Sequence, residues 1–127
     1  MPIPVPSPAS TFSSLVVEHL GELFRRDPLT ATATGVHDHD GAWPDVSEAG
    51  RRATIDWVDG WAARFAALDD AALDADERID RDRMAAVLAS RRHELAESRD
   101  GTWDPLYWIY VLGVVAATPQ VPAASRG

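Results

Sequence analysis

The chain has 127 residues, enough for one domain, and carries a formal net charge of −8. All 12 of its Lys/Arg positions are arginine, and none forms the dense basic cluster that a nucleic-acid backbone or an anionic membrane surface requires, so no nucleic-acid and no membrane partner is expected. It has no cysteine, which excludes disulfides and thiolate chemistry.

Residues 1–10 hold prolines at positions 2, 4, 6 and 8, which forbid helix and favour extended chain. This start has neither a basic region nor an apolar run of the secretory type, so it reads as a disordered tail and the protein as cytoplasmic. Ser10 or Thr11 then caps a first helix, with Phe12, Leu15, Val16, Leu20, Leu23 and Phe24 on one apolar face. Asp27-Pro28 ends that helix and starts a short second one, with Asp27 as its cap and Gly35 at its close.

A loop from Val36 to Val46 follows. Ser47 is the expected cap of a third helix, whose buried stripe is Ile55, Val58, Trp61, Ala62, Phe65 and Leu68. Trp57 and Trp61 lie one turn apart and are expected to stack side by side. After the acidic joint DDAALDADERID, a fourth helix is expected from about Asp76 to Glu97, with Ile79, Met84, Val87, Leu88 and Leu95 inward and Asp100-Gly101 breaking it. Asp104-Pro105 repeats the cap-and-proline signature and opens a last helix, Pro105 to about Ala116. Its apolar run is too short for a bilayer, which needs about 20 residues. Residues 118–127 read as a frayed tail. No alternating strand pattern appears, so the fold class is all-α: an irregular bundle of four to five helices over residues 11–117 behind a Pro-rich extended N-terminus.

Two stretches hold candidate metal ligands. His37-Asp38-His39-Asp40 offers two imidazoles, but a site needs a third ligand from elsewhere, such as Asp45 or Glu48. The competing reading is a polar joint in which aspartates bond nearby amides and Gly41 and Pro44 set the turns. His93-Glu94-Leu95-Ala96-Glu97 begins like the zinc-peptidase motif HExxH, in which two histidines one turn apart grip the metal and the glutamate activates water. Glu97 stands where the second histidine belongs, so a solvated helix end is preferred. No metal or catalytic residue is therefore assigned: His37, His39 and His93 are the candidates, and no cofactor is expected in this chain. There is no GxSxG elbow and no Gly-rich phosphate loop.

Asp27-Pro28, Ala31-Thr32, Gly35, His37-Asp38, Asp40, Asp45 and Ser47, then Arg78-Ile79-Asp80, then Asp104-Pro105-Leu106-Tyr107, resemble in order the opening of a bacterial family known as domain of unknown function 885. The likeness runs from about Phe12 to Gly113. It implies long helical proteins that look like zinc metallopeptidases, with their HExxH helix far downstream of this opening. Zinc is thus expected in the longer relatives only, and no catalytic residue carries over to this chain. Two functions follow as expectations. One is a truncated, non-catalytic N-terminal helical lobe of a metallopeptidase-like protein. The other is a free-standing helical protein–protein interaction module.

The last helix bears on the second. Leu106, Tyr107, Trp108, Ile109, Tyr110, Val111, Leu112, Val114 and Val115 make it apolar almost all round, and such a helix needs cover on every side. Self-association or a helical partner is expected through Leu106–Val115.

Overall fold

The computed structural model describes residues 10–117, with side chains as far as Gly113. The expected tails at 1–10 and 118–127 lie outside the described residues, apart from Ser10. That residue's hydroxyl accepts the Ser13 N–H at 3.0 Å and caps helix α1, Thr11–Arg26. Phe12 of α1 is buried, and Leu15, Val16, Leu23 and Phe24 are half-buried, as their spacing requires. Leu20 departs from the expectation: it is 39% exposed, and the inward position one residue earlier belongs to His19.

Asp27 closes α1 and caps α2, Pro28–Ala33, by accepting the Thr30 N–H at 3.1 Å. Proline fits the first helical position because its missing N–H would have had no partner there. Gly35 follows with φ 88°, a left-handed conformation that glycine adopts without a Cβ clash.

Helix α3, Glu48–Ala66, is capped by the Ser47 hydroxyl, which accepts the Gly50 N–H at 3.0 Å. Gly50 is buried against the preceding loop. A Cβ at this position would lie 2.5 Å from both the Cγ and the carbonyl oxygen of Asp45, so only glycine fits. Val58, Trp61 and Phe65 are fully buried, flanked by half-buried Ile55, Ala62 and Leu68, which is the stripe the sequence spacing gives. A single 3-10 turn, Asp70–Ala72, then delivers Leu73 into the core.

Helix α4, Ala75–His93, starts with a reciprocal capping box: Asp74 accepts the Glu77 N–H at 2.8 Å, and Glu77 accepts the Asp74 N–H at 3.0 Å. It packs along α3. Met84, Leu88 and Leu95 face inward as expected, but Ile79 and Val87 are each 60% exposed. The inward stripe runs Glu77, Arg81, Met84, Leu88, Arg91, Leu95, at the alternating three- and four-residue steps of one helix face. Ile79 lies on the opposite side of that stripe and Val87 well off it, and no other described helix packs there.

The end of this helix also differs from expectation. After His93 the backbone widens into a π turn, Glu94–Ser98, closed by the Arg99 N–H on the Glu94 carbonyl at 2.8 Å. Arg51 of α3 donates to the Leu95 carbonyl at 2.6 Å, supplying a partner for an oxygen in the disrupted turn. The chain breaks at Arg99, φ 52°, rather than at Asp100-Gly101, and those two residues instead enter a four-residue turn of helix, α5, Asp100–Trp103.

Helix α6, Pro105–Ala117, starts where Asp104 accepts the Leu106 N–H at 2.9 Å. The Trp108 indole donates to the Gly101 carbonyl at 2.8 Å and ties α6 to α5. The described residues therefore form an all-α fold with no strand, and no helix is long and apolar enough to cross a membrane.

The Gly50 contact makes an unusual demand. Ala normally gains about 0.5–1 kcal/mol over Gly inside a helix. Here Gly50→Ala should destabilise, and by more than Ser47→Ala, which removes one cap bond and should cost about 1 kcal/mol. Urea denaturation of the two variants measures both, and a more stable Gly50→Ala would show that the Asp45 contact relaxes freely.

Candidate functional site

The densest group of polar and aromatic side chains joins α1 to α3. His19 projects from α1 into a box made by α3: its ring stacks on Trp57 with centroids 5.0 Å apart and meets the edges of Trp61 at 4.9 Å and Phe65 at 5.9 Å. One turn further along α1, a single oxygen of Glu22 accepts both indole N–H groups, from Trp57 at 2.6 Å and Trp61 at 2.8 Å. The two indoles are 6.4 Å apart and inclined at 64°, so the expected side-by-side stack does not form. Both converge on the carboxylate, and His19 takes the stacking face of Trp57.

Arginines cover the outside of this box. The Arg64 guanidinium lies 4.1 Å from the Trp61 ring centroid and is held there by two bonds to Glu18, at 2.9 and 2.7 Å. Arg26 lies 5.4 Å from the Trp57 ring. Glu22, Arg25 and Arg26 line a shallow, open hollow at its edge.

The site has a definite electrostatic character. Hydrogen bonds from Trp57 and then Trp61 hold the Glu22 carboxyl below its usual range. Burial lowers the His19 pKa, with the nearby Glu22 charge opposing the shift, so the imidazole is kept neutral. Its Nδ1 is buried without a hydrogen-bond partner. The sequence reading missed His19 and Glu22. The signal was present, since Phe12, Val16, His19 and Leu23 follow one helical face at four-, three- and four-residue steps.

The His37 loop is bonded within itself. His37 Nδ1 and Asp40 Oδ2 are 2.9 Å apart, and the other Asp40 oxygen accepts from the Thr32 hydroxyl at 2.6 Å. Asp45 accepts the Ser47 N–H at 2.9 Å, and His39 contributes its carbonyl to a turn closed by Ala42. His93 is exposed at the end of α4, beside a Glu94–Arg91 pair at 3.1 Å. Arg92 turns away to Asp59 of α3 at 2.9 Å. Glu97, which stands where the second histidine of HExxH would be, lies within the π turn Glu94–Ser98 that follows His93. Among the described residues no three His, Asp or Glu side chains are grouped so as to hold a metal ion, and His37, His39 and His93 are not brought into one such group.

These caps and turns carry the sequence pattern noted above, and residues 28–125 match the family described as bacterial protein of unknown function (DUF885). The chain belongs to the DUF885 family. No curated protein and no solved structure gives a match. The DUF885 match includes α2 through α6 and starts at Pro28, so His19 and Glu22 stand ahead of it while Trp57 and Trp61 fall inside it.

A pH dependence follows from His19. Its pKa in the fold is lower than in the unfolded chain, where it is about 6.5. The unfolded chain therefore takes up the proton first as pH falls, and stability is lost progressively below about pH 6.5. The carboxylates held low, among them Glu22 and Glu48 (the latter at about 2, bonded to Arg51), lose their contribution only under more acidic conditions. The melting temperature should therefore drop between pH 7 and pH 5, and His19→Phe should reduce that drop. The same variant removes the unpartnered nitrogen, a burden of about 1–3 kcal/mol, and should melt higher at pH 7. Thermal melts followed by circular dichroism test both, and parallel pH profiles in the two proteins would contradict the assignment.

Proposed function

We propose that this chain acts as the non-catalytic helical lobe of a metallopeptidase-like protein and forms one wall of a substrate cleft in the whole molecule. The observation that carries this reading is where the family-like residues make their bonds. Asp27 bonds Thr30, Asp40 bonds Thr32 and His37, Asp45 bonds the Ser47 amide, Ser47 bonds the Gly50 amide, and Asp104 bonds the Leu106 amide. Side chains committed to the starts and joints of helices shape a scaffold. The zinc chemistry that the resemblance implies would then reside in a segment beyond these residues, with His37, His39 and His93 outside any metal site.

The test uses the full chain. With equimolar zinc it should release no chelator-sensitive product from a fluorogenic peptide library. Zinc titration by calorimetry should show no one-to-one micromolar binding that depends on His37 and His39. Turnover abolished both by chelator and by His93→Ala would overturn the reading, as would tight zinc binding lost on replacing His37 and His39 together.

A second reading, a helical protein–protein interaction module, is favoured by a different feature. Leu106, Ile109 and Tyr110 of α6 are 67%, 65% and 73% exposed, and α6 packs chiefly against the short α5 turn.

A further inference from the structure

The exposure of α6 is patterned. Trp108 and Val111 are half-buried and mark its inner side. The opposite side presents Leu106, Ile109, Tyr110 and Gly113, all exposed, at the three- and four-residue steps that align side chains on one helix face. Leu112 at 53% and Tyr107 at 36% flank this stripe, and Trp103 of α5 adds an indole that is 68% exposed. No residue from Pro105 to Ala117 is charged.

We infer that this face binds a second copy of the chain, with the two α6 helices antiparallel about a two-fold axis. The inference rests on the interaction-module reading and names its partner. The stripe is self-complementary about the midpoint between Ile109 and Tyr110. A two-fold axis there sets Ile109 of each copy against Tyr110 of the other. It also sets Leu106, the bulky residue at one end, against Gly113 at the other, where an added Cβ would meet nothing among the described residues within 4 Å. The large side chain of each helix thus has an open position facing it, the knob-and-hole fit that close helix packing needs.

Two further observations fit this partner. An antiparallel pair brings the positive N-terminal end of each helix beside the negative C-terminal end of the other, and no side-chain charge on either helix must be stripped of water. The area is also appreciable. An aromatic side chain contributes roughly 150–250 Å². Tyr110, Leu106 and Ile109, with the exposed parts of Tyr107 and Leu112, therefore offer several hundred Å² per copy, on the order of half the ~800 Å² per partner of a standard interface.

Sedimentation velocity on the full chain at micromolar concentration tests this, with two copies as the expected species. Gly113→Leu is the decisive variant. It fills the open position and should weaken pairing by about tenfold or more. It leaves the monomer sound, because leucine is a better helix former than glycine and nothing among the described residues lies close to it. Ile109→Glu should likewise give monomer. Val17→Glu, at a 70% exposed site on α1, should leave the pair intact, and circular dichroism confirms the helix content of each variant.

Non-specific adhesion predicts the reverse for Gly113→Leu, since the variant enlarges the apolar surface. Equal or tighter association of Gly113→Leu, or an open-ended series of oligomers, would overturn the proposal. So would a parent chain that stays monomeric. In that last case, binding of an apolar dye that is lost in Ile109→Glu would preserve the interaction-module reading while the second copy is abandoned. Absence of dye binding would remove both.

Discussion

One carboxylate organises the α1–α3 contact. Glu22 gathers the indole N–H groups of Trp57 and Trp61 on a single oxygen, and this sets how α1 lies on α3. A buried indole N–H without a partner is costly, so two large aromatic residues can line this contact only if an acceptor stands between them. Once the indoles are fixed, a flat slot remains against Trp57, and His19 fills it. Phe12 then meets Phe65 edge-on at 6.1 Å, and Val58, Leu73 and Leu88 complete the core. The polar and apolar parts of this cluster are interdependent: without Glu22 the tryptophans lose their acceptor, and without the tryptophans Glu22 loses the bonds that hold its pKa down.

The opposite end of the molecule is joined differently. Beyond α4 the chain is fastened by charged groups rather than by core packing. Arg51 bonds both Glu48 and the Leu95 carbonyl, and Arg99, in its left-handed conformation, reaches Glu48 at 3.6 Å. A charged residue held at positive φ marks backbone strain that local contacts must maintain. The α5–α6 segment that follows shares little of the Trp61–Phe65 core. Its helix α6 leaves an apolar stripe of Leu106, Ile109, Tyr110 and Gly113 exposed, and the proposed second copy would match the symmetry of that stripe.

Much of the architecture was legible in the sequence because it is written in local rules. Asp27 before Pro28, Ser47 before an amphipathic run and Asp104 before Pro105 each begin a helix through one side chain and an amide within three residues, and all three do so here. The family pattern is made largely of the same residues. The features that were not legible depend on tertiary partners. His19 is polar in isolation and becomes a core residue only because Trp57, Trp61 and Phe65 of α3 pack around its ring. The exposure of Ile79 and Val87 depends on which face of α4 meets α3, and apolar residues on two faces leave that choice open. The π turn and the Arg99 break follow contacts to Arg51 and Glu48, more than forty positions away in the chain, while the local signal pointed to Asp100-Gly101. For the His37 loop, composition allowed either a metal site or a polar joint; in the fold Asp40 bonds Thr32 and His37.

The Glu22 clamp can be observed through the indole N–H resonances of the protein's five tryptophans. Trp57 and Trp61 share a charged acceptor, whereas Trp103 and Trp108 bond neutral backbone carbonyls. In a proton–nitrogen correlation spectrum, two indole signals should be protected from solvent exchange. Glu22→Gln should shift those two together and leave the signals of Trp43, Trp103 and Trp108 in place. If Glu22→Gln moves neither protected signal, or if all five indoles exchange at the rate of free tryptophan, Glu22 does not hold α1 to α3 and this account of the fold is wrong.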